Sequence, residues 1–245
     1  MIKEIIKEVE ISGENSPLLP RIFSAFKYKT GSDNAWKQEN GNGDTTTLLS
    51  SVDGNFTLIS TPETDFEEIK EFVRFMGCNS IVSNVKLKEN ATHTYSLFKF
   101  VGEENEKTAE RFLVFNSASS ISAYRDLHTM LFYGQNNDFD NWYCDFSKKI
   151  VNGDAKSVVL TNGQNFLSVA TAPMIFKNIA IVSGVFTLNS FRNRGYSKAS
   201  IYKLIEELKK DDVTEIYLWC EKTLEEFYTK LGFVKTGDIY LETEF

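Results

Sequence analysis

Histidine, cysteine and proline are scarce in this 245-residue chain, at two, three and four copies. His93 and His128 stand on separate segments outside any ligand-spaced cluster, so a metal centre is not expected. Cys78, Cys144 and Cys220 lie far apart without paired spacing, which excludes a disulfide framework and reads as buried thiols in a reducing cytoplasm. No apolar run approaches the ~18 residues of a membrane span. The start, Met1-Ile2-Lys3-Glu4-Ile5-Ile6-Lys7-Glu8, is charged throughout and does not read as a signal peptide. Neither a Gly-x-Ser-x-Gly elbow nor a Cys-x-x-Cys pair occurs, leaving covalent nucleophilic catalysis without a motif. Gly41-Asn42-Gly43 is a polar turn, not a dinucleotide fingerprint. Positive charge is in deficit, with a net of −7, so neither nucleic acid nor an anionic membrane surface is an expected partner.

What the chain does have is a 42% hydrophobic fraction with 20 phenylalanines, enough for a sizeable aromatic core in one large domain or two small ones. Its most informative stretch is Arg192-Asn193-Arg194-Gly195-Tyr196-Ser197, between an apolar strand, Ile179–Leu188, and a helix running on from Ser197. Such a loop leaves backbone N–H groups free at a helix N-terminus beside two fixed cations, a ready anion site. Gly195 lets a ligand approach the backbone, and guanidinium donors match phosphate geometry. The helix carries Ile201, Leu204, Ile205 and Leu208 at the spacing of one buried face. Glu215–Cys220 reads as a strand. Thr223 and Glu226 read as a capping box opening a helix to Leu231, which Gly232 stops in the left-handed conformation. Phe233–Thr236, a Gly237-Asp238 turn and Ile239–Glu244 read as a terminal hairpin.

This order, with its residues, resembles the GNAT superfamily of acyl-CoA-dependent N-acyltransferases. Val185-Phe186-Thr187-Leu188-Asn189-Ser190-Phe191 and the Arg192–Ser197 loop look like the family's strand and pyrophosphate loop, with Ser197 where a final Gly or Ala is usual. Leu224-Glu225-Glu226-Phe227-Tyr228-Thr229-Lys230-Leu231-Gly232-Phe233 looks like its second signature helix. Glu221, seven residues before Tyr228, stands where the family commonly has Asn. The resemblance implies an α/β fold with a mixed sheet and an enzyme, an acyltransferase using acetyl-CoA and no metal. The acceptor would be a small amine or amino acid attacking the thioester directly in a ternary complex. It further implies that backbone groups of Val185, Phe186 and Thr187 hold the pantetheine arm. The amides of Arg192, Asn193, Arg194, Gly195, Tyr196 and Ser197 would hold the pyrophosphate, and Tyr228 would be the general acid. The base stays open between Glu221, Asp145 and ordered water, since strand Ile179–Leu188 has no acid. That lack is also the feature favouring the alternative, a non-catalytic acyl-CoA sensor. The expected protein is cytoplasmic, a monomer or homodimer.

The first half reads as a related but altered object. Thr45–Ser51 and Phe56–Ser60 flank an Asp53-Gly54 turn, and Ser157–Thr161 and Phe166–Ala170 flank Asn162-Gly163 about 110 residues later. Asp65–Phe75 is an amphipathic helix ended by Gly77, but its start, Ser60-Thr61-Pro62-Glu63-Thr64-Asp65, is acidic and has no glycine. The expectation is two domains, 1–105 GNAT-like or α+β without a cofactor site and 106–245 the acetyltransferase. The boundary falls near Gly102-Glu103-Glu104-Asn105-Glu106-Lys107. Ser119–Gly134 reads as helical, and Phe139–Phe146 as an aromatic, acidic segment. Asp140 or Asp145 would attract an ammonium there, against Trp142 or Tyr143, unless those rings serve packing.

Overall fold

The computed structural model describes residues 1–11, 16–31, 33–88, 93–103 and 111–243; the expected domain boundary at 105/106 lies outside them. Along the chain run β1 (Ile2–Glu4), α1 (Leu19–Lys27), β2 (Asn34–Glu39), β3 (Thr45–Val52), β4 (Asn55–Ser60), α2 (Phe66–Phe75), β5 (Ser80–Ser83) and β6 (His93–Phe100). Then follow β7 (Phe112–Val114), α3 (Ile121–Leu131), α4 (Phe139–Asn152), β8 (Lys156–Thr161), β9 (Phe166–Phe176), β10 (Ile179–Thr187), α5 (Tyr196–Lys210), β11 (Glu215–Cys220), α6 (Glu225–Lys230) and β12 (Phe233–Thr243). The fold is mixed α/β.

Two compact units form, and they do not follow the chain's halves. One gathers Met1–Phe98 with Trp219–Lys230 and Val234–Phe245; the other holds Lys99–Leu218 and Leu231–Phe233. In the first unit the strand order is β1-β2-β3-β4-β5-β12-β6, so the last strand of the chain pairs antiparallel with β5, Tyr240 opposite Ser83. Trp36, Leu49, Phe56, Leu58, Ile69, Val73 and Ile81 form its core, α2 contributing Ile69 and Val73. Fully burying a side chain of this size contributes roughly 1.5–3 kcal/mol. In the second unit the order is β11-β10-β9-β8-β7, with α3 and α4 closing a core of Phe115, Tyr124, Leu127, Phe146, Ile150 and Val169. Each unit repeats one pattern: the first four strands of the series are antiparallel and the fifth is parallel to the fourth, β4 with β5 and β10 with β11.

Both expected hairpins form. Asp53 and Gly54 take φ of +51° and +73°, as a type I′ turn requires, and Gly163 takes +92°. Two expectations at the C-terminus are corrected. No hairpin breaks at Gly237-Asp238: β12 runs through as one strand, and Gly237 does not take the left-handed conformation that a tight turn asks of it. Nor does Thr223 open a helix: Lys222–Leu224 is a 3₁₀ turn closed by the Leu224 amide on the Glu221 carbonyl, and α6 begins at Glu225. Glu226 pairs forward with Lys230 at 2.6 Å instead of reaching back to a cap. Gly232 is left-handed at φ +85°, and an added Cβ would lie 2.9 Å from Gly102 Cα, so no larger residue fits.

Candidate functional site

In the second unit, the β10–β11 ladder pairs Ile179, Ala180 and Ile181 with Glu215, Ile216 and Tyr217, and stops. Strand β10 continues to Thr187 with β9 as its partner, its register shifting on either side of Ser183. A bulge of this kind bends the strand and frees backbone groups. Its cause is Gly184, at φ +60°, where a Cβ would come within 2.7 Å of Leu131 Cδ2 at the end of α3. Ser183 and Gly184 are exposed in the middle of an otherwise buried strand, Val185 and Phe186 are half-buried, and Thr187 is buried.

Beyond the strand, the loop is held at both ends. Phe191 and Tyr196 pack onto a core of Leu160, Leu167 and Ala199. The Thr187 hydroxyl joins Ser168 at 2.8 Å and Ser197 at 2.7 Å, tying the strand end to the first turn of α5. Between those anchors Arg192, Asn193, Arg194 and Gly195 are exposed. Arg192 Nε donates to the Thr187 carbonyl at 3.2 Å with its guanidinium over the Phe186 ring, and Arg194 donates to the Ser190 carbonyl at 3.3 Å. Gly195 is the N-cap of α5 at φ +79°; it offers no capping side chain, and a Cβ there would meet nothing within 4 Å. From Ala155 to Ile205 the chain carries no carboxylate side chain but six cations, Lys156, Lys177, Arg192, Arg194, Lys198 and Lys203. An uncapped helix start with open approach, beside the exposed Arg192 and Arg194, fits an anionic pyrophosphate.

Tyr228 lies in the first unit, on α6, half-buried. Burial, and secondarily Cys220, push its hydroxyl up to about 12, so it stays protonated at neutral pH. Cys220 is buried and pushed up to about 11 by that burial, then by Glu225 and Glu221. Glu225 accepts from the Ser96 hydroxyl and pairs with Lys235 at 3.3 Å. Glu221 accepts from His93 Nε2 at 2.6 Å, a partner that chain order could not reveal because β6 and the end of β11 are 128 residues apart. Cys144 is exposed on α4 and Cys78 is half-buried, correcting the expectation that all three thiols are buried. Asp145 is engaged by Lys149 at 2.7 Å, and Trp142 and Tyr143 pack on Phe146 and Tyr124. The α4 aromatics thus serve the core of their unit, and sequence alone could not distinguish that from a substrate wall.

The counterpart of this arrangement in the first half is sealed. Where β4 passes the last β5 pair, the Asn84 side chain accepts from the Ser60 amide at 3.0 Å and donates to the Ser60 carbonyl at 3.1 Å. At α2 the Asp65 carboxylate accepts from the Glu67 and Glu68 amides, each at 3.1 Å, and the Thr64 hydroxyl accepts from the Thr61 amide. The donors that an anion would need are already occupied, with negative charge among them. A cavity of about 270 Å³ remains beside Thr46, Ser60, Asn84, Leu97 and Ile239. Among the described residues, no three metal-ligating side chains come together, and no helix is long and apolar enough to cross a membrane.

These features lie in the C-terminal part of the chain, which resembles the GNAT class. Residues 133–244 match the family model described as "Acetyltransferase (GNAT) domain", so the resemblance holds in sequence as well as in fold, and the family implies acyl transfer from acyl-CoA. Similar solved structures include a GCN5-related N-acetyltransferase from Sphaerobacter thermophilus, at 9% identity over 98% of this chain and 94% of that one, TM-score 0.60. A tandem GNAT protein from the clavulanic acid biosynthesis pathway matches at 8% identity over 92% and 87%, TM-score 0.60. A GCN5-related N-acetyltransferase from Kribbella flavida matches at 12% identity over 80% and 85%, TM-score 0.58. At such identities the likeness is one of fold. Among curated proteins, none matches the sequence.

Proposed function

We propose that this protein transfers an acetyl group from acetyl-CoA to a primary amine of a small molecule or amino acid, by direct attack while both substrates are bound. The observation that carries the reading is the combination on one strand–loop–helix unit of an early-ending β10–β11 ladder, the Gly184 bulge and the uncapped, acid-free start of α5 at Gly195. Backbone groups of Val185, Phe186 and Thr187 are then available to the pantetheine amides, and the amides of Arg192–Ser197 to the pyrophosphate. Acetyl-CoA supplies the activated thioester. Tyr228 donates a proton to the departing sulfur, its phenol being protonated at neutral pH. The acetyl donor, the amine acceptor and a cytoplasmic location belong to this reading.

The test is an amine panel assayed with acetyl-CoA for release of free thiol. Turnover with at least one primary amine is the expected result. Tight CoA binding with no turnover across the panel would instead support a sensor, the reading favoured by the absence of any acid on β10.

A further inference from the structure

Gly184 is exposed, yet on one face it has no room for a methyl group. A Cβ there would lie 2.7 Å from Leu131 Cδ2 and 3.6 Å from both Cβ and Oγ1 of Thr171. Carbon atoms rest roughly 3.5–4.0 Å apart, so a Leu131 methyl takes the place that a side chain of the strand would fill. Leu131 is the last residue of α3, and Thr171 lies opposite Ser183 on β9, so two elements of the second unit converge on the bulge. The same wall continues along β10, where the exposed Tyr133 ring stacks on Phe186 with centroids 5.6 Å apart. Leu131 and Phe186 both pack against the core that α3 and α4 close, and Thr187, next in the strand, turns to Ser197 of α5 on the other face. Leu127 and Met130 anchor α3 in that core at 0% and 4% exposure. Leu131 is only half-buried, and its open side adjoins the exposed glycine.

Resting on the acyl-transfer reading, we propose that Leu131 sets the length of the acyl chain, admitting acetyl and rejecting longer chains such as butyryl. With the pyrophosphate at the start of α5 and the arm on Val185–Thr187, β10 leads the arm back toward Ser183, short of which the β10–β11 ladder has ended. The thioester then falls beside Gly184. The strand has no side chain of its own there, so the apolar surface offered to the acyl group is the Leu131 methyl. An acetyl methyl lies against it in ordinary contact. Each further methylene has to displace the leucine or turn into water, and an apolar wall discriminates by about 10–200-fold for one methylene. Gly184 and Leu131 thus act as a pair: the glycine frees the strand edge, and the leucine closes the space behind it.

The experiment measures the affinity of the full chain by calorimetry for CoA, acetyl-CoA, propionyl-CoA and butyryl-CoA, and kcat/KM for the three thioesters with an active amine. Wild type is compared with Leu131→Ala and with Leu131→Val, the milder change should the alanine variant melt early. Wild type should favour acetyl over butyryl by about tenfold or more in both readouts. Leu131→Ala should raise the butyryl-to-acetyl ratio by about 10–100-fold, and Leu131→Val should raise it by less, with the affinity for free CoA, which carries no acyl group, unchanged. A wild type that takes butyryl as well as acetyl, or variants that keep the wild-type ratio, would overturn the Leu131 assignment and leave the acyl-transfer reading standing. If CoA binds and no amine is acylated, the acyl-transfer reading falls and the affinity series alone decides: a ratio shifted in the variants upholds Leu131, an unshifted one overturns it. If neither CoA nor its thioesters bind, both fall.

Discussion

Tyr228 and Ser197 show how differently two matched positions can be used. Ser197 spends its hydroxyl on Thr187, at 2.7 Å, holding the strand end against the first turn of α5, a structural task that leaves its backbone to a ligand. Tyr228 sits half-buried with its hydroxyl pushed up to about 12, chiefly by burial. A raised folded-state value means the proton is held more firmly in the folded chain, so this group favours folding below the ordinary tyrosine range and loses that contribution only as pH climbs through about 12. Across any practical assay range the phenol remains a donor, and Tyr228 cannot produce a basic limb in the rate profile. Tyr228→Phe should therefore keep CoA affinity and lower kcat by about ten- to a thousandfold at every pH tested. Unchanged turnover, or joint loss of CoA binding and thermal stability, would return Tyr228 to packing.

At the scale of elements, the proposed function turns on the contrast between the starts of α2 and α5. Asp65 caps α2 with a carboxylate on two amides, while Gly195 opens α5 with none. Gly195→Asp puts a carboxylate where the pyrophosphate would lie, into open space, at a φ of +79° that costs a non-glycine residue about 1–2 kcal/mol. Gly195→Asn carries similar strain without the charge. Calorimetry should show CoA affinity falling steeply in the Asp variant and much less in the Asn variant, with both folded; equal affinity in all three would refute the loop assignment. This element was legible in sequence because its signals are local: β-forming residues, a glycine, and a helix with one apolar face. The capping box at Thr223 and the hairpin at Gly237 looked equally local but were overridden. The chain closes a 3₁₀ turn on Glu221 first, and β12 finds partners in β5 and β6 that no short window contains. The His93–Glu221 contact and the Asn84 seal were invisible for the same reason, as they join residues 128 and 24 positions apart in the chain.

For the molecule as a whole, the strand pattern repeats, four antiparallel and a fifth parallel, and the proposed function gives that pair a single cofactor site. The Asp53-Gly54 and Asn162-Gly163 turns made the two hairpins legible in sequence. They did not reveal that the last strand belongs to the first unit, since strand exchange leaves no trace in local pattern. In the first half the opening between the fourth and fifth strands is stitched by Asn84 and the helix amides are taken by Asp65, whereas in the second half the β10–β11 ladder ends at Tyr217 and no N-cap side chain bonds the start of α5. Titrating CoA into the intact protein in a calorimeter tests that claim most directly. One CoA per chain, lost in Gly195→Asp, is the predicted result; a stoichiometry near two, or binding untouched by that substitution, would contradict it.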